Sequence, residues 1–214
     1  MSSRKTPVIS QRKRPRQARS ERLVADILEA ATRILARDGA RRFTTARVAE
    51  AAGVSVGSLY QYFPNKESIL FRLQSDEWQQ TGNLIDTHFT DTTRPPLERL
   101  RAVVLTFFRS ECEEAELRVA LKDAAPLYRN APETRERRSE SRRRSIAFMR
   151  EILPELPAKE RAFVTDLIMT AMSTIGKTVS EEGHSRAEVD RLATATGDMF
   201  CAYLAQLASR PPSV

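Results

Sequence analysis

The segment Phe43-Thr44-Thr45-Ala46-Arg47-Val48-Ala49-Glu50-Ala51-Ala52-Gly53-Val54-Ser55-Val56-Gly57-Ser58-Leu59-Tyr60-Gln61-Tyr62-Phe63 holds the residues of this chain best suited to chemistry. That chemistry is recognition rather than catalysis. Val48, Ala49 and Ala52 place small and branched apolar groups on one face of a two-turn helix, so that a second short helix can cross it closely at a large angle. Gly53 permits a positive-φ turn between the two. Val54 and Leu59 pin the turn and the second helix to a core, and Ser55 can cap that helix. With Leu59 inward, Val56, Gly57, Ser58, Tyr60, Gln61 and Tyr62 are expected to face largely outward near the helix N-terminus. Free amides and the positive end of the helix dipole favour phosphate there. Ser58 and Gln61 can hydrogen-bond base edges in a major groove, and Val56 can pack on a thymine methyl. Tyr60 and Tyr62 carry hydroxyls long enough to reach backbone phosphates, with the charge of Lys66 just behind them. Thr44 or Thr45 caps the first helix and can also meet phosphate. The competing expectation is that Tyr60, Tyr62 and Phe63 only close the short helix as core aromatics, and for Phe63 that is the expectation adopted.

Other chemistries lack their residues. His88 and His184 stand far apart, with no Cys, Asp or Glu cluster at metal-ligand spacing. There is no Gly-rich phosphate loop among 7 glycines, and no nucleophile elbow. Neither an enzyme nor a metal or cofactor is expected. Cys112 and Cys201 each sit inside an apolar helical pattern and read as two buried reduced thiols, although a bridge between them is possible.

The elements that must position the recognition segment are helical, and an all-α fold is expected. Ser20 can cap a first helix in which Leu23, Ile27, Ala30, Ala31 and Ile34 recur at spacings of three and four, ending at Gly39. Short helices follow over about Thr45–Ala52 and Val56–Phe63, and Asn65 can cap a longer one carrying Ile69, Leu70, Leu73 and Trp78. Behind Pro95-Pro96, Leu97, Leu100, Val104, Phe107 and Phe108 mark one apolar face. A short segment near Leu117–Ala124 precedes an Arg-rich helix from about Glu133 to Leu153, whose Glu136, Glu140 and Arg144 suit a solvated, ion-paired face. Phe163, Leu167, Ala171 and Ile175 are expected to line one side of the next helix, which stops at Gly183. Ser185-Arg186-Ala187-Glu188 is a capping-box sequence opening the last. Its broad stripe of Val189, Leu192, Thr196, Met199, Phe200, Tyr203, Leu204 and Leu207 hints at a partner subunit.

Charge is unevenly spread. Residues 1–66 carry 14 Lys/Arg against 5 Asp/Glu, whereas residues 67–214 carry 21 against 23. A basic third on a near-neutral body implies a polyanion-binding module joined to something else. Residues 1–19 hold Arg4, Lys5, Arg12, Lys13, Arg14, Arg16 and Arg19 with few apolar neighbours. They are expected to form a basic flexible arm, either a solubilising tail or one that touches phosphates or a minor groove. No run of about 18 apolar residues and no secretory h-region occurs, so the cytoplasm is the expected location and no membrane partner is expected.

The run from Thr44-Thr45 through Val48-Ala49, Ala52-Gly53-Val54-Ser55 and Gly57-Ser58-Leu59-Tyr60-Gln61-Tyr62-Phe63-Pro64-Asn65-Lys66-Glu67-Ser68-Ile69-Leu70 resembles the DNA-binding domain of the tetracycline-repressor family. Ile27-Leu28-Glu29-Ala30-Ala31 and Asp38-Gly39 resemble that family's first helix, so that the likeness covers about residues 20–70. The resemblance implies a three-helix DNA reader over 20–66 and a larger helical domain over 67–214 that binds a small effector and dimerises through its last two helices. It puts Thr45, Val56, Gly57, Ser58, Tyr60, Gln61, Tyr62 and Lys66 where family members contact DNA. Ala46 departs from the basic or polar reader some relatives carry, which implies fewer base contacts from the second helix. The function so implied is a ligand-responsive regulator, most often a repressor, that binds a palindromic operator as a homodimer. Phe107, Phe108, Leu121, Tyr128, Met149, Met169 and Met172 are the candidate lining of a lipophilic effector site, against the alternative that each is ordinary core. A nucleoid or scaffold protein, whose C-terminal domain binds another protein instead of an effector, is the other function to be weighed.

Overall fold

The computed structural model describes residues 9–10, 18–128 and 130–209. Among them there is no strand. The helices are α1 (Ala18–Arg42), α2 (Thr45–Ala51), α3 (Val56–Tyr62), α4 (Lys66–Thr90), α5 (Pro96–Glu113), α6 (Ala115–Ala124), α7 (Pro132–Ile152), α8 (Ala158–Glu181) and α9 (Arg186–Ala208), with a 3-10 turn at Ala125–Leu127. The chain divides into two compact units, Met1–Gln79 with Glu116–Glu136 and Gln80–Ala115 with Arg137–Val214. None of the three boundaries so made coincides with a division after residue 66. α4 and α7 each contribute to both units, and α6 belongs with the first.

The first unit is built on α1, whose Val24, Ile27, Ala30, Ala31, Ile34 and Leu35 bury one face at helical spacing. α1 begins at Ala18, so Ala18 and Arg19 are helical rather than part of an arm, and Ser20 lies inside the helix rather than capping it. Ile9 is also buried, packed into the same core as Phe43, Val48, Leu59, Phe63, Ile69 and Leu70. Arg4, Lys5, Arg12, Lys13, Arg14 and Arg16 lie outside the described residues. Leu121, Ala124 and Tyr128 complete this core from α6 and the turn after it. A polar cluster is enclosed with them. Arg118 Nη2 meets Glu77 Oε1 at 2.7 Å with both side chains largely buried, and Gln74 Nε2 donates to Glu77 Oε2 at 2.8 Å. The Tyr128 hydroxyl lies 3.2 Å from Gln74 Oε1 and 3.1 Å from the Leu121 carbonyl. Burial, reinforced by the negative charge of Glu77, pushes that hydroxyl's pKa well up and keeps it a donor.

In the second unit α5 packs against α8 and α9. Leu100, Val103, Val104 and Phe108 supply its buried face. Small residues allow the close approach. A Cβ on Gly176 of α8 would stand 2.9 Å from Cε1 of Phe107, and one on Gly197 of α9 would stand 3.4 Å from Cγ of Arg101. At the rim, Arg109 Nε and Nη2 donate to the two Asp190 oxygens at 2.7 Å each, and Arg101 Nε donates to Asp198 at 2.6 Å. Arg99 is buried, donating to the Phe89 carbonyl at 2.7 Å and to Glu151, with its guanidinium 5.0 Å from the centre of the Phe148 ring. The Arg-rich part of α7 is an exposed, ion-paired face: Arg142 forks onto Asp166 at 2.7 and 2.8 Å, and Arg144 meets Asp86 and Glu140. Cys112 is half-buried and Cys201 buried, and they are not bonded to each other.

The stripe of Phe163, Leu167, Ala171 and Ile175 expected on one side of α8 is split, with Ala171 and Ile175 packed partly buried against the core. Val164, Ile168, Met172 and Val179 form its buried face, while Phe163 and Leu167 are exposed. Apolar residues lie on both sides of this helix, and where α5 packs on it the Phe107 and Phe108 rings lie against Gly176, which has no side chain to displace them.

Candidate nucleic-acid interface

Thr44, not Thr45, caps α2: its hydroxyl accepts the Arg47 amide at 3.3 Å. Val48 and Ala49 are buried, and Gly53 turns the chain at φ 66° with its amide on the Glu50 carbonyl at 3.1 Å. Ser55 then caps α3, accepting the Ser58 amide at 3.0 Å and meeting the Ser58 hydroxyl at 2.8 Å. Asn65 Oδ1 accepts the Ser68 amide at 2.8 Å and so caps α4. Two seven-residue helices are therefore held by a cap at each start and a glycine turn between them.

Leu59 is fully buried and fixes which side of α3 looks out. Val56 is 41% exposed, Tyr60 39% exposed, and Gly57 and Gln61 are also exposed, while Ser58 is half-buried beside its cap. Thr44 is exposed; Thr45 and Lys66 are half-buried. The Tyr60 hydroxyl lies 3.1 Å from Thr45 Oγ1, so two expected contact residues from different helices meet and present one polar edge. Tyr62 corrects its expectation. It is buried at 7% rather than outward, because it lies three residues beyond Leu59 and shares that residue's face. Tyr62 and Phe63 both close α3 against the core.

The electrostatics of this end are positive. Arg41 and Arg42, which stand before the helix-turn-helix motif and are not singled out by it, are both exposed in the last turn of α1 beside Thr44. Arg47, on α2, folds back onto the end of α1 with its side chain 39% exposed: Nη2 donates to Asp38 Oδ2 at 2.5 Å and Nη1 to the Arg42 carbonyl at 3.0 Å. Asp38 also accepts Arg37 Nε and Nη2 at 2.9 and 3.0 Å. Hydrogen bonding from Arg37, with a smaller contribution from Arg47, holds the Asp38 carboxyl below its ordinary pKa. The signal for this arrangement, an acid before a break-inducing glycine and a cation nine residues on, is present in the sequence but not distinctive.

The proposed effector-lining residues divide between the units. Phe108, Met149 and Met172 are buried in the core of the second, with Phe107 and Met169 packed partly buried against it. Leu121 and Tyr128 belong to the core of the first. His88 donates to or accepts from Thr106 at 2.8 Å, and His184 meets Glu182 at 2.7 Å. Among the described residues no group of three or more His, Cys, Asp or Glu could hold a metal ion, and no helix is long and apolar enough to cross a membrane.

Residues 27–73 match the family model for bacterial regulatory proteins of the tetR family, and residues 95–207 match that for the tetracyclin repressor-like C-terminal domain. The chain is 28% identical over 182 residues to the nucleoid occlusion factor SlmA of Vibrio cholerae, covering 84% of this chain and 92% of that protein. It is 31% identical over 94 residues to the probable HTH-type transcriptional regulator ArpR of Pseudomonas putida, covering 44% of this chain and 45% of that one. Among solved structures, a putative transcriptional regulator from Pseudomonas aeruginosa PAO1 has the same fold with a TM-score of 0.67 at 15% identity, over 90% of this chain and 96% of its own. A regulator from Aquifex aeolicus VF5 follows with a TM-score of 0.64 at 16% identity, over 83% and 98%. The helix-turn-helix of α2 and α3 and the helical body behind it, matched by a C-terminal model over more than half the chain, make this protein a member of the tetracycline-repressor family of transcriptional regulators.

Proposed function

We propose that the protein is a ligand-responsive transcriptional repressor of the cytoplasm that binds a palindromic DNA operator as a homodimer and leaves it when a small lipophilic effector binds the second unit. The observation that carries this reading is the outward side of α3, where Val56, Gly57, Tyr60 and Gln61 are exposed while Leu59 and Tyr62 anchor the helix from behind. In the proposed complex Gln61 and Ser58 hydrogen-bond base edges and Val56 meets a thymine methyl. Thr44, Thr45, Tyr60 and Lys66 take phosphate oxygens, and Gly57 lets the DNA backbone come close. Tyr62 supports the reader instead of touching DNA. Two such readers, related by the dimer axis, occupy major grooves about one helical turn apart.

The effector site is assigned to Phe107, Phe108, Met149, Met169 and Met172, which share one core. Leu121 and Tyr128 are removed from that set, since they serve the other unit's core. An effector releases DNA only by binding the DNA-free conformation more tightly than the DNA-bound one.

The test is selection of duplexes from a random pool by the protein, followed by fluorescence anisotropy on the selected and scrambled sequences. The expected result is an inverted-repeat consensus bound about a thousandfold or more tighter than the scrambled duplex. Gln61→Ala should weaken the selected duplex about thirtyfold or more, the effect of one lost base contact in each half-site, and relax the preference at one position per half-site. Absence of any enriched sequence, or equal binding to both duplexes, would remove the reading.

A second reading is supported by the likeness to a nucleoid occlusion factor, which extends over 92% of that protein. In it the same head binds DNA and the second unit binds a protein. Release of the selected duplex by some member of a panel of small apolar compounds favours the repressor. Resistance to the whole panel, with a protein partner held on the DNA, favours the scaffold.

A further inference from the structure

We infer that Arg47 is a positioning residue of the DNA-reading head and not a DNA contact. This rests on the reading of α2 and α3 as the DNA-reading pair. An arginine on α2 of such a head would ordinarily be assigned to phosphate, but this guanidinium is already engaged at two points. Nη2 holds Asp38, whose side chain is only 12% exposed, at 2.5 Å, and Nη1 holds the Arg42 carbonyl at 3.0 Å. Its own amide takes the Thr44 cap at 3.3 Å.

These three bonds have one effect. Gly39, at φ 69° and ψ 173°, breaks the helical path of α1, so the carbonyls beyond it lose the partners a continuing helix would supply. Arg47 satisfies one of them and ties the redirected segment back to the last regular turn of α1 through Asp38. The segment so fixed carries Arg41, Arg42 and Thr44, the exposed groups nearest the start of α2. Leaving Asp38 for a phosphate would cost Arg47 one charge-assisted bond to a carboxylate and another to the Arg42 carbonyl, so the exchange gains little. The planar fork of arginine is needed, because a lysine ammonium is a point charge that cannot reproduce both bonds in this geometry.

The experiment compares wild type, R47K, R47M and D38N on a duplex selected by the wild-type protein, at several salt concentrations, with amide hydrogen exchange on the free proteins. The expected result is that all three variants weaken binding about fivefold or more, that the slope of log affinity against log salt is unchanged, and that amides 43–48 exchange faster. A phosphate contact gives the opposite pattern. R47K then binds like wild type, R47M loses about 1.8 of slope, about 0.9 for each of the two subunits, and D38N, which frees the cation, binds tighter; any of these overturns the inference. Should the wild type not distinguish selected from scrambled duplex, DNA recognition itself fails. The exchange measurement then decides alone: faster exchange of amides 43–48 in R47K supports the strut, and unchanged exchange overturns it.

Discussion

Gly53 joins α2 to α3 at φ 66°, and a Cβ built there meets nothing within 4 Å. The requirement for glycine is therefore purely conformational, since an L side chain in the left-handed region costs about 1–2 kcal/mol. Gly53→Ala should lower stability by about 1 kcal/mol and Gly53→Asn by less, because asparagine tolerates that region; urea titration followed by circular dichroism measures both. An equal loss for the two would mean that something other than φ constrains the site. Tyr60 and Tyr62 show how finely the same residue type is sorted within one helix. Tyr60, next to Leu59, looks out and reaches Thr45 at 3.1 Å, while Tyr62, three residues on from Leu59, goes under.

At the scale of elements, helix starts and contacts are sharpened by exposed carboxylates. Glu188 is held below its ordinary pKa chiefly by the Ser185 side chain and then by its amide, Asp190 by Arg109, and Asp166 by Arg142. A carboxylate with a depressed pKa in the folded state adds stability above its unfolded value, about 4. That stability is lost as pH falls through the folded value. Glu188 and Asp166 are exposed and Asp190 half-buried, so each contributes little, but they act in the same direction on α7, α8 and α9. The melting temperature should be flat between pH 7 and 5 and fall below about pH 4. The D166N/D190N protein should melt lower than wild type at neutral pH, and the two curves should converge in acid. A gap constant with pH would mean that the ion pairs are not its source. The same starts were the legible part of the sequence: Ser55, the Ser185–Glu188 box, Gly53 and Gly183 each mark an end by residue type and are found doing so. The sequence is silent where two answers have the same pattern. α8 has apolar residues on both sides, and its inner face is set by packing on α5, where Phe107 lies against Gly176. Ile9 was invisible for a related reason: one apolar residue in a basic stretch carries no period. The division of α4 and α7 between two units leaves no mark either, since a helix is continuous through it.

For the whole molecule, assembly turns on the outer sides of the last two helices, which carry exposed apolar side chains. Phe163 is 61% exposed and Leu167 45%, four residues apart on one stripe of α8; Leu192 is 37% and Met199 54%, seven apart on one stripe of α9. A helix already buried on one face by α5 has no internal use for a second apolar stripe, and large exposed apolar patches mark contacts with another molecule. A second copy of the chain is the proposed occupant, since two half-sites of a palindrome need two readers on one two-fold axis. Because both positions are exposed in the single chain, L167E/M199E should change its folding by no more than about 0.5 kcal/mol per site. Its effect on assembly can then be read separately. Wild type should sediment as a dimer and the double variant as a monomer of the same helix content. Affinity for the selected duplex should fall about a hundredfold or more, the advantage of linking two binding events. If the variant still sediments as a dimer, the subunits meet elsewhere; if it is monomeric yet binds the full duplex as tightly as wild type, one reader suffices and the palindromic operator is wrong.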